Sequence, residues 1–478
     1  MLGGRLIAAV VAATAATLPL APSADAAPAS AVLVRVAPAG AADVLGPAAR
    51  PALPPASVAR LERRVGRRLP ELRGLYRIRA DGPAAARRIA SRLDARPAVR
   101  AAVEPAPVPP PAVCRPEPDG GWPVFDPGTP TPDLSGFQDY RAGMDVPDTA
   151  TGAGVRVGDI EYEWRRTHEE LAERALPAPV RRPGGLPGFL AEDHGTAVLG
   201  ILGADIDGEG TTGVAHDAQI LPLSPFFEPD PDSYDLPRAV LEAALALRPG
   251  DVLLIEQQTT LETPSGPVFA PVEADPVMRD LIRDVVDAGV VVVEPAGNGG
   301  RDLASLNLSW LADPADPANS GALLVAGGES PATGVDLART PGSNYGARVD
   351  LQGYGAGVVT TGYGLGIGPV RPEDRAYTSC FDGTSSASAN VAGAVAALQG
   401  LAIDATGSPA TPAAVRAALV ATGKPQAGPA EERIGPRPQV AAAATLLGAI
   451  EPPAGPGPPP APPLSALPVQ APPPSREQ

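Results

Sequence analysis

From about residue 135 onward, short apolar runs alternate with longer stretches in which apolar residues recur every three or four positions. The runs at 155–160 (VRVGDI), 219–223 (QILPL), 251–257 (DVLLIEQ), 289–295 (GVVVVEP) and 322–328 (ALLVAGG) are too short for buried helices and rich in Val, Leu and Ile, so they read as buried strands. The segments 237–248 and 276–288 carry the helical spacing between them. Strands that are apolar on both faces and separated by helices predict an α/β fold. Its core would be a doubly wound, mostly parallel sheet with helices on both faces.

The region before it has a different rhythm. Residues 31–36 (AVLVRV), 72–80 (LRGLYRIRA) and 99–105 (VRAAVEP) read as strands. Residues 57–68 place Val58, Leu61 and Val65 on one helical face, and 83–95 form a second helix opened by Pro83. Strand, helix, strand, helix, strand suits a small ferredoxin-like α+β unit over 27–106. Proline-rich 105–113 reads as an extended linker inside a 107–134 connection, followed by a main domain over 135–450. The tail, 451–478, is proline-rich and expected to be disordered. No internal repeat is present.

The first 26 residues carry Arg5, an apolar stretch from Leu6 to Leu20 and the small-x-small triplet Ala24-Asp25-Ala26. That is the layout of a secretory signal. A membrane anchor is the other reading, but Pro19 and Pro22 interrupt a run already short for a span. No later segment of the sequence reads as a membrane span. A secreted chain with two cysteines, Cys114 and Cys380, can hold one disulfide, although sequence does not place them together.

Net charge is −16, but it is divided. Residues 27–106 hold 15 arginines against 6 acidic residues, and 107–478 hold 22 basic against 47 acidic ones. A basic unit ahead of an acidic body suggests electrostatic docking of one on the other. The acidic body argues against a nucleic-acid partner.

Three motifs carry candidate chemistry. Gly383-Thr384-Ser385 precedes an Ala-rich helical run through Leu398, His194 lies in DHGTAVLGILGA, and Asn298 follows an apolar strand in PAGNGG. Taken singly, the first is a helix N-cap, the second a lone structural histidine and the third an Asn-Gly turn. Only His168 and His216 compete with His194, because the chain has three histidines.

Together the motifs resemble the subtilisin-like serine peptidases (subtilases): GTS running into Val391-Ala392-Gly393, His194-Gly195-Thr196, and Ala296-Gly297-Asn298, in the family's order. GVAHDAQILPL (213–223) and SNYG (343–346) add to the likeness, which covers roughly 135–448. The resemblance implies a subtilisin-like fold and a serine endopeptidase acting on polypeptides. Ser385 would be the nucleophile, His194 the general base and acid, and Asn298 the oxyanion donor. It also implies that the unit at 27–106 is an inhibitory, self-cleaved propeptide. The chemistry requires no cofactor, no motif supports structural calcium, and the mature chain is expected to be a secreted monomer.

The sequence departs from the family at the acid. The family's aspartate stands seven residues before a histidine; here that position is Glu161, with His168 the histidine. Glu161 is favoured as the triad acid, and Asp159, two residues earlier, is the alternative. The family's small-residue pocket strand falls on Glu256-Gln257-Gln258, so Gln257, Gln258 and Gly297 are expected beside the substrate, with the preferred side chain left open. Ala389 replaces the family's proline, and Asp382 precedes Gly383. These departures keep two other readings open: a catalytically weak fold that binds, and an esterase with the same triad.

Overall fold

The computed structural model describes residues 30–450 except 38–40, 47–48, 97–98, 104–127, 173–187, 228–233, 265, 365 and 368–372. The expected signal, linker and proline-rich tail lie outside the described residues.

The main domain is built on a six-stranded sheet. Its order is Leu351–Tyr354, Leu323–Gly328, Val291–Pro295, Val252–Ile255, Arg156–Ile160, Gln219–Leu223, and every pairing is parallel. Five of these strands match the apolar runs. The sixth, Leu351–Tyr354, does not announce itself in sequence, because buried Gln352 interrupts it and spends its amide on the Gly435 carbonyl. The 251–257 run ends as a strand at Ile255, and Gln258 opens a hairpin, Gln258–Thr263 with Gly266–Pro271.

The chain starts this sheet one strand in from an edge. It moves from Arg156–Ile160 to one side, returns to Val252–Ile255 on the other, then steps outward. The strand order reverses direction between Arg156–Ile160 and Val252–Ile255, and ligand crevices of open α/β sheets form at the carboxyl ends of such a pair.

Two helices thread one face. Gly188–Gly203 carries His194, and Gly383–Thr406 carries Ser385. The second is built largely of small and apolar residues on all sides because it lies inside the core, with every residue from Thr384 to Ala402 buried. It is the one helix among the described residues long and apolar enough to cross a membrane. The other face is covered by Leu236–Ala246 and Pro276–Asp287.

The N-terminal unit is an antiparallel sheet ordered Arg50–Pro51, Leu75–Ala80, Ser30–Arg35, Arg100–Val103. Pro70–Arg73 forms a helical turn, so the strand expected from residue 72 starts at Leu75. Val32, Val34, Ala86, Ala90 and Leu93 make its own small core. Leu33, Leu61, Leu72 and Leu75 instead join the apolar cluster of the main-domain helices Leu236–Ala246 and Pro276–Asp287. Arginines surround that contact. Arg77 grips Asp235 at 2.8 and 3.0 Å, Arg67 reaches Asp287 at 2.8 Å, Arg35 pairs with Asp280, and Arg64 donates to the Ala244 carbonyl at 2.7 Å. The charge division along the chain is therefore a docking complementarity.

Candidate active site

The acid, the base and the serine come from three elements that end at the switch point. Ile160 and Ile255 are register partners, so Glu161 and Glu256 leave adjacent strands side by side. Glu161 is wholly buried and its Oε2 lies 2.5 Å from His194 Nδ1. Its Oε1 accepts from the Tyr162 N–H at 2.7 Å, which fixes the carboxyl plane. A carboxylate on Nδ1 leaves Nε2 as the nitrogen able to take a proton. Nε2 is buried and makes no hydrogen bond. The imidazole packs edge-on against Phe381, 5.3 Å between ring centres.

Gly195 makes this approach feasible. A Cβ there would lie 2.1 Å from the Glu163 carbonyl oxygen and 2.7 Å from Glu161 Cγ, so only glycine fits where the histidine helix meets the strand of the acid. Thr196 secures the same turn, accepting from the Arg165 N–H at 2.8 Å and donating to the Glu192 carbonyl at 2.6 Å.

Asp159 is also buried, but it points elsewhere. Its Oδ2 accepts from Trp164 Nε1 at 2.8 Å, and no bond to His194 is made. Burial and the neighbouring Glu161 push its carboxyl well above the usual carboxylate range. Of the two candidate acids, the geometry brings Glu161 to the imidazole.

Ser385 sits in the first turn of its helix. Asp382 precedes that helix but does not cap it, since its Oδ1 accepts from the Gly357 N–H at 2.7 Å. The first-turn N–H groups are consequently left for other partners and the positive end of the helix dipole faces the site. The Thr384 N–H and hydroxyl both donate to Asn298 Oδ1, at 3.0 and 3.1 Å. With its oxygen so engaged, Asn298 keeps its Nδ2 hydrogens as the donors it can offer a substrate. Gly383 has φ +88° and stands against Asn298, where a Cβ would lie 3.0 Å from Oδ1.

The expected substrate-side residues divide. Gln258 Oε1 accepts from the Asn298 N–H at 3.0 Å, so it braces the oxyanion loop. Gln257 is buried, with its amide held by the Tyr234 hydroxyl at 3.1 Å and the Glu256 carbonyl at 2.9 Å. It supports the wall from behind rather than facing a substrate. Gly297 has φ +93° and packs against Ala270 of the hairpin. His168 is buried, its Nε2 on the Ala376 carbonyl at 2.8 Å, and burial pulls its imidazole down to about 4, so it is a neutral structural histidine. Cys380 is disulfide-bonded, and the chain's other cysteine, Cys114, lies outside the described residues. No group of ligating side chains that could hold a metal ion occurs among the described residues.

The sequence profile of the subtilase family matches residues 190–435. The chain belongs to the subtilase family. Its members are peptidases of the serine type, and the matched segment contains His194, Asn298 and Ser385. Among solved structures, fervidolysin from Fervidobacterium pennivorans, described as a keratinolytic enzyme related to subtilisin, is 18% identical. The alignment covers 87% of this chain and 60% of that one, with a TM-score of 0.54. A protease from Pseudoalteromonas arctica is 21% identical over 67% of this chain and all of that one, with a TM-score of 0.48. No curated protein matches the chain. The subtilase profile begins after Glu161, so the acid of the site rests on its spacing from His168 and on the geometry.

Glu256 is the functional candidate that sequence reasoning placed only as a pocket-strand residue. Its side chain is buried beside Ser385 and Ser388. The signal available was its residue type, an acid where the family's strand is small and neutral.

Proposed function

We propose that this chain is a secreted serine endopeptidase that hydrolyses polypeptides through Ser385, His194 and Glu161 and is made as a self-processing precursor. The observation that carries the reading is the Glu161–His194 contact at 2.5 Å, beside a serine at an uncapped helix start. Ser385 Oγ attacks the substrate carbonyl while its proton passes to His194 Nε2. The new imidazolium is held by Glu161 through Nδ1–H. The tetrahedral oxyanion accepts from the Ser385 N–H and Asn298 Nδ2. His194 then gives its proton to the departing amine as the C–N bond breaks, and water repeats the cycle on the acyl-enzyme. The nucleophile and the base are brought together by the binding of substrate, since apo contacts of this kind are commonly loose.

The N-terminal unit acts as the inhibitory propeptide. Its support is the shared apolar cluster and the arginine pairs onto the two main-domain helices. The cut falls near residues 105–120, outside the described residues. Once released, the enzyme works as a monomer in the medium or the periplasm.

The test is to express residues 27–478 and its Ser385→Ala variant and to follow chain length by mass spectrometry. Loss of the first 80–95 residues or so from the parent alone establishes self-cleavage by Ser385. An intact parent across pH and calcium concentration overturns the reading in favour of a binding protein. Comparing peptide with ester hydrolysis separates endopeptidase from esterase.

A further inference from the structure

Two carboxylic acids leave neighbouring strands at the switch point, and the triad uses only one. Glu161 and Glu256 each follow a register-paired isoleucine, and the Glu256 N–H donates to the Ile160 carbonyl at 3.1 Å. Glu256 is 5% exposed. Its Oε1 lies 2.7 Å from Ser388 Oγ, one helical turn beyond the nucleophile. Its Oε2 is buried without a hydrogen bond of normal geometry, and the Ser385 hydroxyl stands beside the same carboxyl.

The proton inventory around Ser388 gives a protonated Glu256 a place for its hydrogen. Ser388 Oγ is also 2.7 Å from the Thr384 carbonyl oxygen and 3.1 Å from the Ser385 carbonyl oxygen. A hydroxyl has one hydrogen. Two of its three oxygen neighbours are carbonyls and have none to give. When Ser388 donates to the Thr384 carbonyl, the short contact with Glu256 needs a hydrogen from the acid. The groups facing the carboxyl agree: Glu161 and Asp159 from the adjacent strand, and the hydroxyls of Ser385 and Ser388 from the serine helix. His194, the nearby base, is committed to Glu161 through Nδ1. Burial first, then the Glu161 carboxylate, push the Glu256 carboxyl well above the usual range.

We propose that Glu256 is a positioning residue for the nucleophile: as the neutral acid it hydrogen-bonds to Ser388 and leaves the Ser385 hydroxyl to His194, and as the carboxylate it captures that hydroxyl and shuts off acylation. This deepens the peptidase reading and rests on it. An ionised Glu256 accepts the Ser385 O–H, turning the proton away from His194 Nε2. It also sets a second negative charge near the place where the oxyanion forms, which opposes the transition state. The enzyme is therefore built to work in its lower pH range and to close as the medium becomes alkaline.

The experiment uses matured 27–478 protein and a fluorophosphonate probe. In the probed step the Ser385 Oγ–P bond forms, the P–F bond breaks with loss of fluoride, and the serine proton goes to His194. The second-order inactivation rate is followed from about pH 5 to about pH 10, where loss of one essential proton gives a limb falling about tenfold per pH unit. The parent shows that descending limb, Glu256→Asp keeps a shifted one, and Glu256→Gln and Glu256→Ser, whatever their own plateau rates, lack it up to about pH 10. The serine variant carries the test if the glutamine variant does not fold.

The same descending limb in both neutral variants overturns the proposal. So does a folded Glu256→Gln protein that fails to mature at acid pH. If the parent's Ser385 is labelled and labelling needs His194 while the limb survives in Glu256→Gln, this inference alone fails. If Ser385 is not labelled at all, the peptidase reading fails and this inference falls with it.

Discussion

Replacing Glu161 by glutamine tests the acid of the triad with the least disturbance of shape. The side chain keeps its length, and one end of the carboxyl becomes an NH2 group. If the new amide directs its NH2 at His194, that group meets Nδ1–H, donor against donor, and the imidazole can restore the 2.5 Å contact only by moving its hydrogen to Nε2. Nε2 then has no lone pair to take the Ser385 proton. The alternative flip, with the amide oxygen toward His194, would place NH2 against the Tyr162 N–H, which now donates to Oε1 at 2.7 Å. The first orientation loses the accepting nitrogen, the second loses the Tyr162 hydrogen bond, and both lose the stabilisation of the imidazolium. The corresponding change in a chymotrypsin-type triad lowers turnover by about 10⁴, so a loss of about 10³–10⁴ in kcat with little change in KM is expected. Asp159→Asn serves as the matched control. Asp159 bonds to Trp164 and not to His194, and burial pushes its carboxyl well above the usual range, so its amide should leave kcat within about threefold. The assay is hydrolysis of a dye-labelled protein substrate, with fluorophosphonate titration giving the number of competent sites. Glu161→Gln activity within about tenfold of the parent, or a loss of equal size in Asp159→Asn, would refute the assignment.

Asn298→Ala removes one oxyanion donor and should cost about 10²–10³ in kcat, a magnitude measured on subtilisin itself; an unchanged kcat with altered KM would mean Asn298 only braces the loop. The Arg77–Asp235 pair is partly buried and two-pronged. A double-mutant cycle with Arg77→Ala and Asp235→Asn should give a coupling of about 1–2 kcal/mol for binding of the separated N-terminal unit, shrinking in molar salt. Asparagine is chosen because Asp235 also caps its helix through the Arg238 N–H; zero coupling would leave only the apolar contact. Glu170 is pushed up to about 8, first by burial, against the hydrogen bonds it accepts from Tyr377 and Thr211. A raised folded value means stability that is full in acid and lost as pH climbs toward 8, about 4 kcal/mol by then from this group. Glu170→Gln should flatten that slope in denaturant titrations between about pH 5 and pH 8, and an unchanged slope would show that Glu170 ionises freely.

Much of the fold is legible in the chain because its local signals agree with one another. The apolar runs that form Arg156–Ile160, Gln219–Leu223, Val252–Ile255, Val291–Pro295 and Leu323–Gly328 lie in a sheet covered on both faces, and that needs little beyond Val, Leu, Ile, Ala and Gly. The spacing of seven between Glu161 and His168 points to the strand position that the fold sets against His194, even though the residue type differs from the family's. What stays hidden depends on tertiary partners. Leu351–Tyr354 is a strand because Gln352 finds the Gly435 carbonyl, and no local pattern records that. The hairpin arm Gln258–Thr263 gives no buried-strand signal because Thr260 and Glu262 on its polar face are exposed beyond the sheet. Gln257 is a pocket residue by register alone, but its amide is spent on Tyr234, which lies before it in the chain and beside it only in the fold.

The same limit explains why the acid can be counted but not understood from sequence. Three buried carboxyls, Asp159, Glu161 and Glu256, lie close enough to affect one another, and only Glu161 meets an imidazole. A single histidine can balance one negative charge, and burying a second or third without a cation is costly. The fold resolves the excess by giving each acid a different neighbour. Asp159 receives an indole N–H, Glu256 receives a serine hydroxyl, and Glu161 alone receives the ring nitrogen. Environments that separate otherwise equal groups in this way are what assign acid and base roles. A glutamate can then serve where a shorter acid is usual, provided that the facing helix comes close without a side chain in the way. Gly195, with no room for a Cβ between Glu161 and the Glu163 carbonyl, meets that condition. Gly195 is part of the family's own His-Gly-Thr motif, so the close approach is kept while the acid changes, and Gly195→Ala should disable the site as thoroughly as loss of the acid itself.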